Sequence, residues 1–214
     1  MASADRMTIY APATAAGKAA VAVVRVSGPR AGEALEALIG RRRPAARRAT
    51  KARLRDSTSG EVLDDALVLW LPGPQSVTGE DVAEFHLHGG RAVLAAVLAT
   101  LGRVPGLRLA QAGEFTRRAF HAGKLDLTEV EGLADLIAAD TEAQRSQALR
   151  QLSGELGRLT EGWRARLVAS LAQAEAEIDF PDEGDVPRGL IEALRPALAS
   201  FAAEIRAHLA DQRG

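Results

Sequence analysis

The stretch EFHLHGG, Glu84 to Gly90, sets a carboxylate and two imidazoles at alternate positions. Alternate side chains of an extended strand share a face. Val82, Glu84, His86 and His88 therefore line one face, and Ala83, Phe85 and Leu87 the other. The second set is apolar and reads as core, while the first carries groups able to do chemistry. Two histidines spaced this way can ligate zinc, with Glu84 as a third ligand. No second ligand cluster accompanies them, since His121 and His208 stand alone in the sequence. A polar strand face near a sheet end explains the spacing without a metal, and no metal site is expected.

Two further residues stand where charge is costly or fixed. Arg25 interrupts AAVAVVRVSG, an otherwise apolar segment from Ala19 to Gly28. A guanidinium or carboxylate inside an apolar strand needs a partner or a ligand. Arg25 and Glu84 either pair with each other structurally or hold a bound molecule, and spacing alone leaves both open. Lys124 follows a glycine at an expected helix end, which presents its ammonium at a fixed place. ATAAGKAA, Ala13 to Ala20, ends like a phosphate-binding loop, but Pro12 and Ala19 occupy the positions that need a glycine and a hydroxyl. GxSxG, HExxH and GxGxxG patterns are absent from the sequence.

The elements that would position these residues change along the chain. Ala19–Gly28, Ala66–Leu71 and the segment around Glu84 read as strands, and PGLRLA as a short one. Pro29–Ile39, Arg91–Leu101 and Ala112–Lys124 read as helices, the last ended by Gly123. No strand pattern is found beyond Leu125. LTEVEGLADLIAAD is a helix with Asp126 or Thr128 as cap. Leu149, Leu152, Leu156, Leu159, Trp163, Leu167, Leu171 and Ile178 then form one stripe, expected to run along a single helix of about 35 residues. DFPDEGDVP breaks it, and Leu190 to Leu209 supply a second stripe. The expected fold is α+β: a mixed α/β domain over residues 1–125, followed over 126–214 by an all-α hairpin or bundle.

Composition bounds the rest. Of 214 residues, 47% are hydrophobic and 26% charged, as in a water-soluble globule. The absence of cysteine excludes disulfides, thiolate metal sites and cysteine nucleophiles. No signal-like or membrane-spanning run is present, so a cytoplasmic protein without membrane attachment is expected. Net charge is −1, yet eight of the 27 basic residues fall between Arg41 and Arg55. A phosphate-contacting patch and a solvated basic loop are both open there. The lack of an aromatic residue, with Pro44 and the alanines, favours a loop leading into a strand.

The segments AVVRVSGP, LPGPQSVTGEDVAEFHLHGG, PGLRLAQAGEFTRRAFHAGKLDLTEVEGLADLI and EIDFPDE, in this order, resemble the MnmE (TrmE) tRNA-modification GTPases. The resemblance runs from about Met7 to about Arg206. It implies an N-terminal domain similar to folate-dependent aminomethyltransferase domains, which dimerises and binds 5-formyltetrahydrofolate or 5,10-methylenetetrahydrofolate. It implies a helical domain after it, into which a GTPase domain is inserted. With an MnmG-type FAD/NAD-dependent partner, such proteins place an aminomethyl-type group on C5 of the wobble uridine of tRNA. The family's folate-contacting arginine, glutamate and lysine fall on Arg25, Glu84 and Lys124. The pattern needs only the second histidine of HLH, which leaves His86 incidental.

The chain departs from the family by lacking a phosphate-binding loop, a guanine-specificity motif and the C-terminal cysteine. GTP, magnesium and potassium are therefore expected only with a GTPase domain beyond this sequence, and no catalytic residue is assigned within it. The leading expectation is a homodimeric folate-binding module of a tRNA-modifying enzyme. A stand-alone folate-dependent one-carbon transferase and a non-catalytic scaffold are the alternatives.

Overall fold

The computed structural model describes residues 7–179 and 189–210. The chain divides into two compact units, residues 1–125 and 126–214. The fold is α+β, with a mixed sheet in the first unit and helices alone among the described residues of the second.

The first unit holds strands β1 (Thr8–Pro12), β2 (Val21–Ser27), β3 (Thr50–Arg55), β4 (Val62–Leu71), β5 (Val82–His88) and β6 (Leu107–Leu109). Their order is β3-β4-β5-β2-β1-β6, antiparallel except for the β1–β6 pair. Helices α1 (Ala31–Ile39) and α2 (Arg91–Gly102) cover one face. Val24, Val26, Val68, Trp70, Ala83, Phe85 and Leu87 point to them and bury against Leu35, Leu38, Val97 and Leu101. The alternation of β5 is thus fixed by what its odd-numbered residues bury, and Glu84, His86 and His88 are delivered to the opposite face.

Helix α3 (Glu114–His121) lies on that opposite face, where its Phe115 ring meets Arg25. Gly123 follows it with φ +65°, a conformation that favours glycine. Two other glycines answer to close backbone approach. A Cβ on Gly28 would stand 2.7 Å from Thr8 Cα, and one on Gly89 would stand 2.3 Å from the Ala19 carbonyl oxygen. Gly89 therefore serves the approach of β5 to the entry of β2.

Strand β1 is an addition to the elements expected from sequence, and β3 takes up the end of the basic segment, where a loop leading into a strand is expected. β1 is five residues and ends in a proline, and β3 alternates basic side chains with buried Ala52 and Leu54. β4 also begins earlier than its apolar run, at Val62.

The second unit contains α4 (Leu127–Ala138), α5 (Glu142–Leu152), α6 (Glu155–Asp179) and α7 (Leu190–Ala210). Asp126 caps α4 with a reciprocal box: its carboxylate accepts from Glu129 N–H, and the Glu129 side chain accepts from Asp126 N–H. The single helix expected from Leu149 to Ile178 is two helices. Gly154, at φ +74°, breaks the stripe between α5 and α6. Helix α7 pairs with α6 through Trp163, whose ring meets Phe201 and His208 and whose Nε1–H donates to Glu204 at 2.8 Å. The break expected at DFPDEGDVP lies, beyond Asp179, outside the described residues.

Candidate functional site

Arg25 and Glu84 face each other as direct cross-strand partners of β2 and β5. Both Arg25 Nε (2.9 Å) and Nη2 (2.8 Å) reach one oxygen, Glu84 Oε1. Among the described residues, Arg25 Nη1 takes no acceptor, and Glu84 Oε2 meets only His86 Nε2 at 3.4 Å. The side chains are 26% and 14% exposed, so the pair is partly desolvated but still open to a ligand. The Phe115 ring lies 5.7 Å from the guanidinium carbon and fixes its plane on one side. Such a pair presents an N–H edge beside a carboxylate oxygen held only by the long 3.4 Å contact to His86, which suits a planar ligand with donors and an acceptor side by side.

The structural pairing of Arg25 with Glu84 is therefore real, and it leaves half of each group uncommitted. Lys124 is not brought into contact with them. It lies exposed at the end of α3, with its stem near Gly79 of the loop that joins β4 to β5. His88 turns to Asp64 instead, its Nδ1 2.6 Å from Oδ1. Among the described residues no three His, Asp or Glu side chains converge to hold a metal ion.

Beside the pair runs a network that sequence reasoning missed. Ser27, two residues from Arg25, joins Thr78 Oγ1 and Glu80 Oε2 at 2.7 Å each. Arg118 of α3 donates to Glu80 (3.0 Å), to the Met7 carbonyl (2.8 Å) and to Glu114 (3.2 Å). Arg108 donates to both oxygens of Glu114, which also accepts from Gln111 N–H at 2.9 Å. Glu114 is 2% exposed. The Arg108 hydrogen bond leads in holding its carboxyl down, from 4.5 to about 2. This network ties α3 and the β4–β5 loop to the sheet, and so sets the walls around Arg25 and Glu84. The one local signal for it was the i, i+4 spacing of Glu114 and Arg118 on α3.

The model of the GTP-binding protein TrmE N-terminus matches residues 8–124, and that of the MnmE helical domain matches residues 127–214. The chain belongs to the MnmE/TrmE family. It is 62% identical over 206 residues to the tRNA modification GTPase MnmE of Parvibaculum lavamentivorans, covering 96% of this chain and 47% of that protein. It is 58% identical over 217 residues to the protein of the same name from Rhodospirillum rubrum, with 96% and 47% covered. A mitochondrial 5-taurinomethyluridine-tRNA synthase subunit of Homo sapiens is 56% identical over 207 residues, with 96% and 42% covered. The chain spans about half the length of these MnmE-type relatives. It corresponds to an N-terminal and helical module of a tRNA modification GTPase family.

Proposed function

We propose that this chain is the folate-binding and dimerisation module of an enzyme that modifies C5 of the wobble uridine of tRNA. In this reading the bound group is 5-formyltetrahydrofolate or 5,10-methylenetetrahydrofolate, which supplies a one-carbon unit. Glu84 accepts a ring N–H and an exocyclic amine of the pterin. Arg25 donates its free edge to a carbonyl. Lys124 lies at the margin and reaches the tail carboxylates. GTP, magnesium and potassium belong to a GTPase domain outside this sequence, and an MnmG-type FAD/NAD-dependent protein and tRNA complete the assembly.

The observation that carries the reading is the half-committed Arg25–Glu84 pair, aimed at the sheet face that α1 and α2 leave open. A fully satisfied fork sets two N–H groups on two carboxylate oxygens, as Arg53 does with Asp65. Here one oxygen does all the work.

The test is calorimetric titration of 5-formyltetrahydrofolate into the chain and four variants, each checked for folding by circular dichroism. Glu84→Ala leaves ligand donors unpaired and is expected to cost about 2–4 kcal/mol, a roughly 30- to 1000-fold loss. Arg25→Ala is expected to match it. Lys124→Ala, at an exposed position, is expected to cost about 1 kcal/mol or less. His86→Ala is expected to be close to neutral. Loss of binding in His86→Ala with retention in Glu84→Ala would sink the assignment.

A further inference from the structure

The eight basic residues from Arg41 to Arg55 stand in a segment without one acidic residue. The remaining 19 basic and 28 acidic residues leave the rest of the chain at −9. The charge is therefore concentrated, and the structure sorts it by use. Arg43 is committed to the fold: it stacks on Trp70, 4.9 Å from the ring centre, and pairs with Glu36 at 2.9 Å. Arg47 donates to the Gln75 carbonyl at 2.5 Å, and Arg53 pairs with Asp65 through two nitrogens. Arg55 donates to the Gly60 carbonyl at 3.0 Å.

Three arginines are not used in this way. Among the described residues, Arg42 and Arg48 make no side-chain hydrogen bond or ion pair, and Arg41 makes only a 3.3 Å contact to the Lys51 carbonyl. With Lys51 they line a shallow concavity of about 480 Å³, completed by Pro44, Ala45, Ala49 and Thr50. No carboxylate lines it. A one-sign concavity without a counter-ion of its own raises the local concentration of anions.

We infer that this concavity, at the start of edge strand β3, is a docking surface for the phosphodiester backbone of RNA. The inference rests on the reading of the chain as part of a tRNA-modifying protein and names where this chain itself meets the tRNA. Its shape and chemistry favour a backbone over the other anionic surfaces. It is open and shallow, and exposed Lys51 carries the positive charge from it onto β3. A membrane surface calls for bulky apolar side chains to insert beside the charges. The lining offers only Pro44, Ala45, Ala49 and the Thr50 methyl. It also lacks an aromatic ring for base stacking, because Trp70 is buried behind Arg43. Contacts here are therefore to phosphate, tolerant of sequence and governed by salt.

The experiment measures binding of a labelled unmodified tRNA transcript by fluorescence anisotropy, from 50 to 200 mM potassium chloride. The intact chain is compared with R41Q/R42Q/R48Q, with the charge-preserving R41K/R42K/R48K and with R53Q. The neutral triple variant is expected to bind at least tenfold more weakly at 100 mM salt. Its slope of log affinity against log salt should be shallower by about 2–3, at about 0.7–0.9 per lost phosphate contact. The lysine triple variant should keep the wild-type slope, and R53Q should change affinity less than twofold. No binding by the intact chain overturns the inference, as does an unchanged slope in the neutral variant. So does an equal, arginine-dependent affinity for anionic phospholipid vesicles. The same proteins are titrated with 5-formyltetrahydrofolate. Retained folate binding beside an unchanged RNA slope overturns the docking surface and leaves the module reading standing. Absent folate binding in the intact chain overturns the module reading itself.

Discussion

At the scale of single residues, Glu114 is where burial and charge meet. It is enclosed, accepts from Arg108, Arg118 and the Gln111 amide, and is held at a pKa of about 2 instead of 4.5. A depressed carboxyl contributes stability above its unfolded pKa and loses it as pH falls through the folded one. The contribution is on the order of 3 kcal/mol, complete above about pH 5 and drained toward pH 2. Glu114→Gln keeps the shape but leaves Arg108 and Arg118 short of a charge. It is expected to lower the stability of the first unit by about 2–4 kcal/mol at pH 7, and by progressively less as pH falls from 4.5 toward 2. Urea unfolding followed by Trp70 fluorescence in a Trp163→Phe background measures this. A gap between the two proteins that stays constant from pH 7 to pH 3 would show that the Glu114 charge does not stabilise the fold. Arg25 and Glu84 were legible in the sequence because each breaks an apolar run. Glu114 and Arg118 were not, because nothing in EFTRRAFH tells which of its charges are enclosed.

At the scale of elements, strands β2 and β5 were legible because both faces of each had a clear chemical identity. β1 was not, since TIYAP is short and carries Pro12, and β3 was legible only as the strand to which the basic loop leads, because its exposed positions are themselves basic. The overextended helix has a physical cause. Leu149, Leu152, Leu156 and Leu159 keep helical spacing straight across Ser153 and Gly154, so periodicity cannot reveal the break. What makes the break is backbone conformation: Gly154 sits at φ +74°, and a Cβ there would stand 3.2 Å from Glu129 Oε1. Gly154→Ala is expected to destabilise the helical unit by about 1–2 kcal/mol. Asp126→Ala, which removes the same capping box from its other end, should cost about 0.5–2 kcal/mol. Thermal melts followed at 222 nm would test both. A Gly154→Ala protein that melts at or above the wild-type temperature would mean that α5 and α6 join without strain.

At the scale of the molecule, the open sheet face needs a cover. Val21 and Leu67 are 51% and 48% exposed there, on either side of the β5 residues His86 and His88, around a concavity of about 400 Å³. Exposed apolar side chains gathered around a concavity are a candidate association surface. A second copy of the chain is the occupant proposed, with its main interface in residues 1–125. The helical unit is also apolar outside: Leu156, Leu171 and Leu209 are exposed, while Phe201 and Trp163 are packed together. The two surfaces should behave differently. Light scattering at tens of micromolar is expected to give twice the 22.6 kDa chain mass. Leu67→Asp adds a charge at the centre of the sheet face without touching the core, and is expected to give a monomer of unchanged helicity. Leu171→Asp is expected to leave the dimer intact and to suppress larger, concentration-dependent species. A monomeric wild-type chain, or a Leu67→Asp protein that remains dimeric, would place the interface elsewhere.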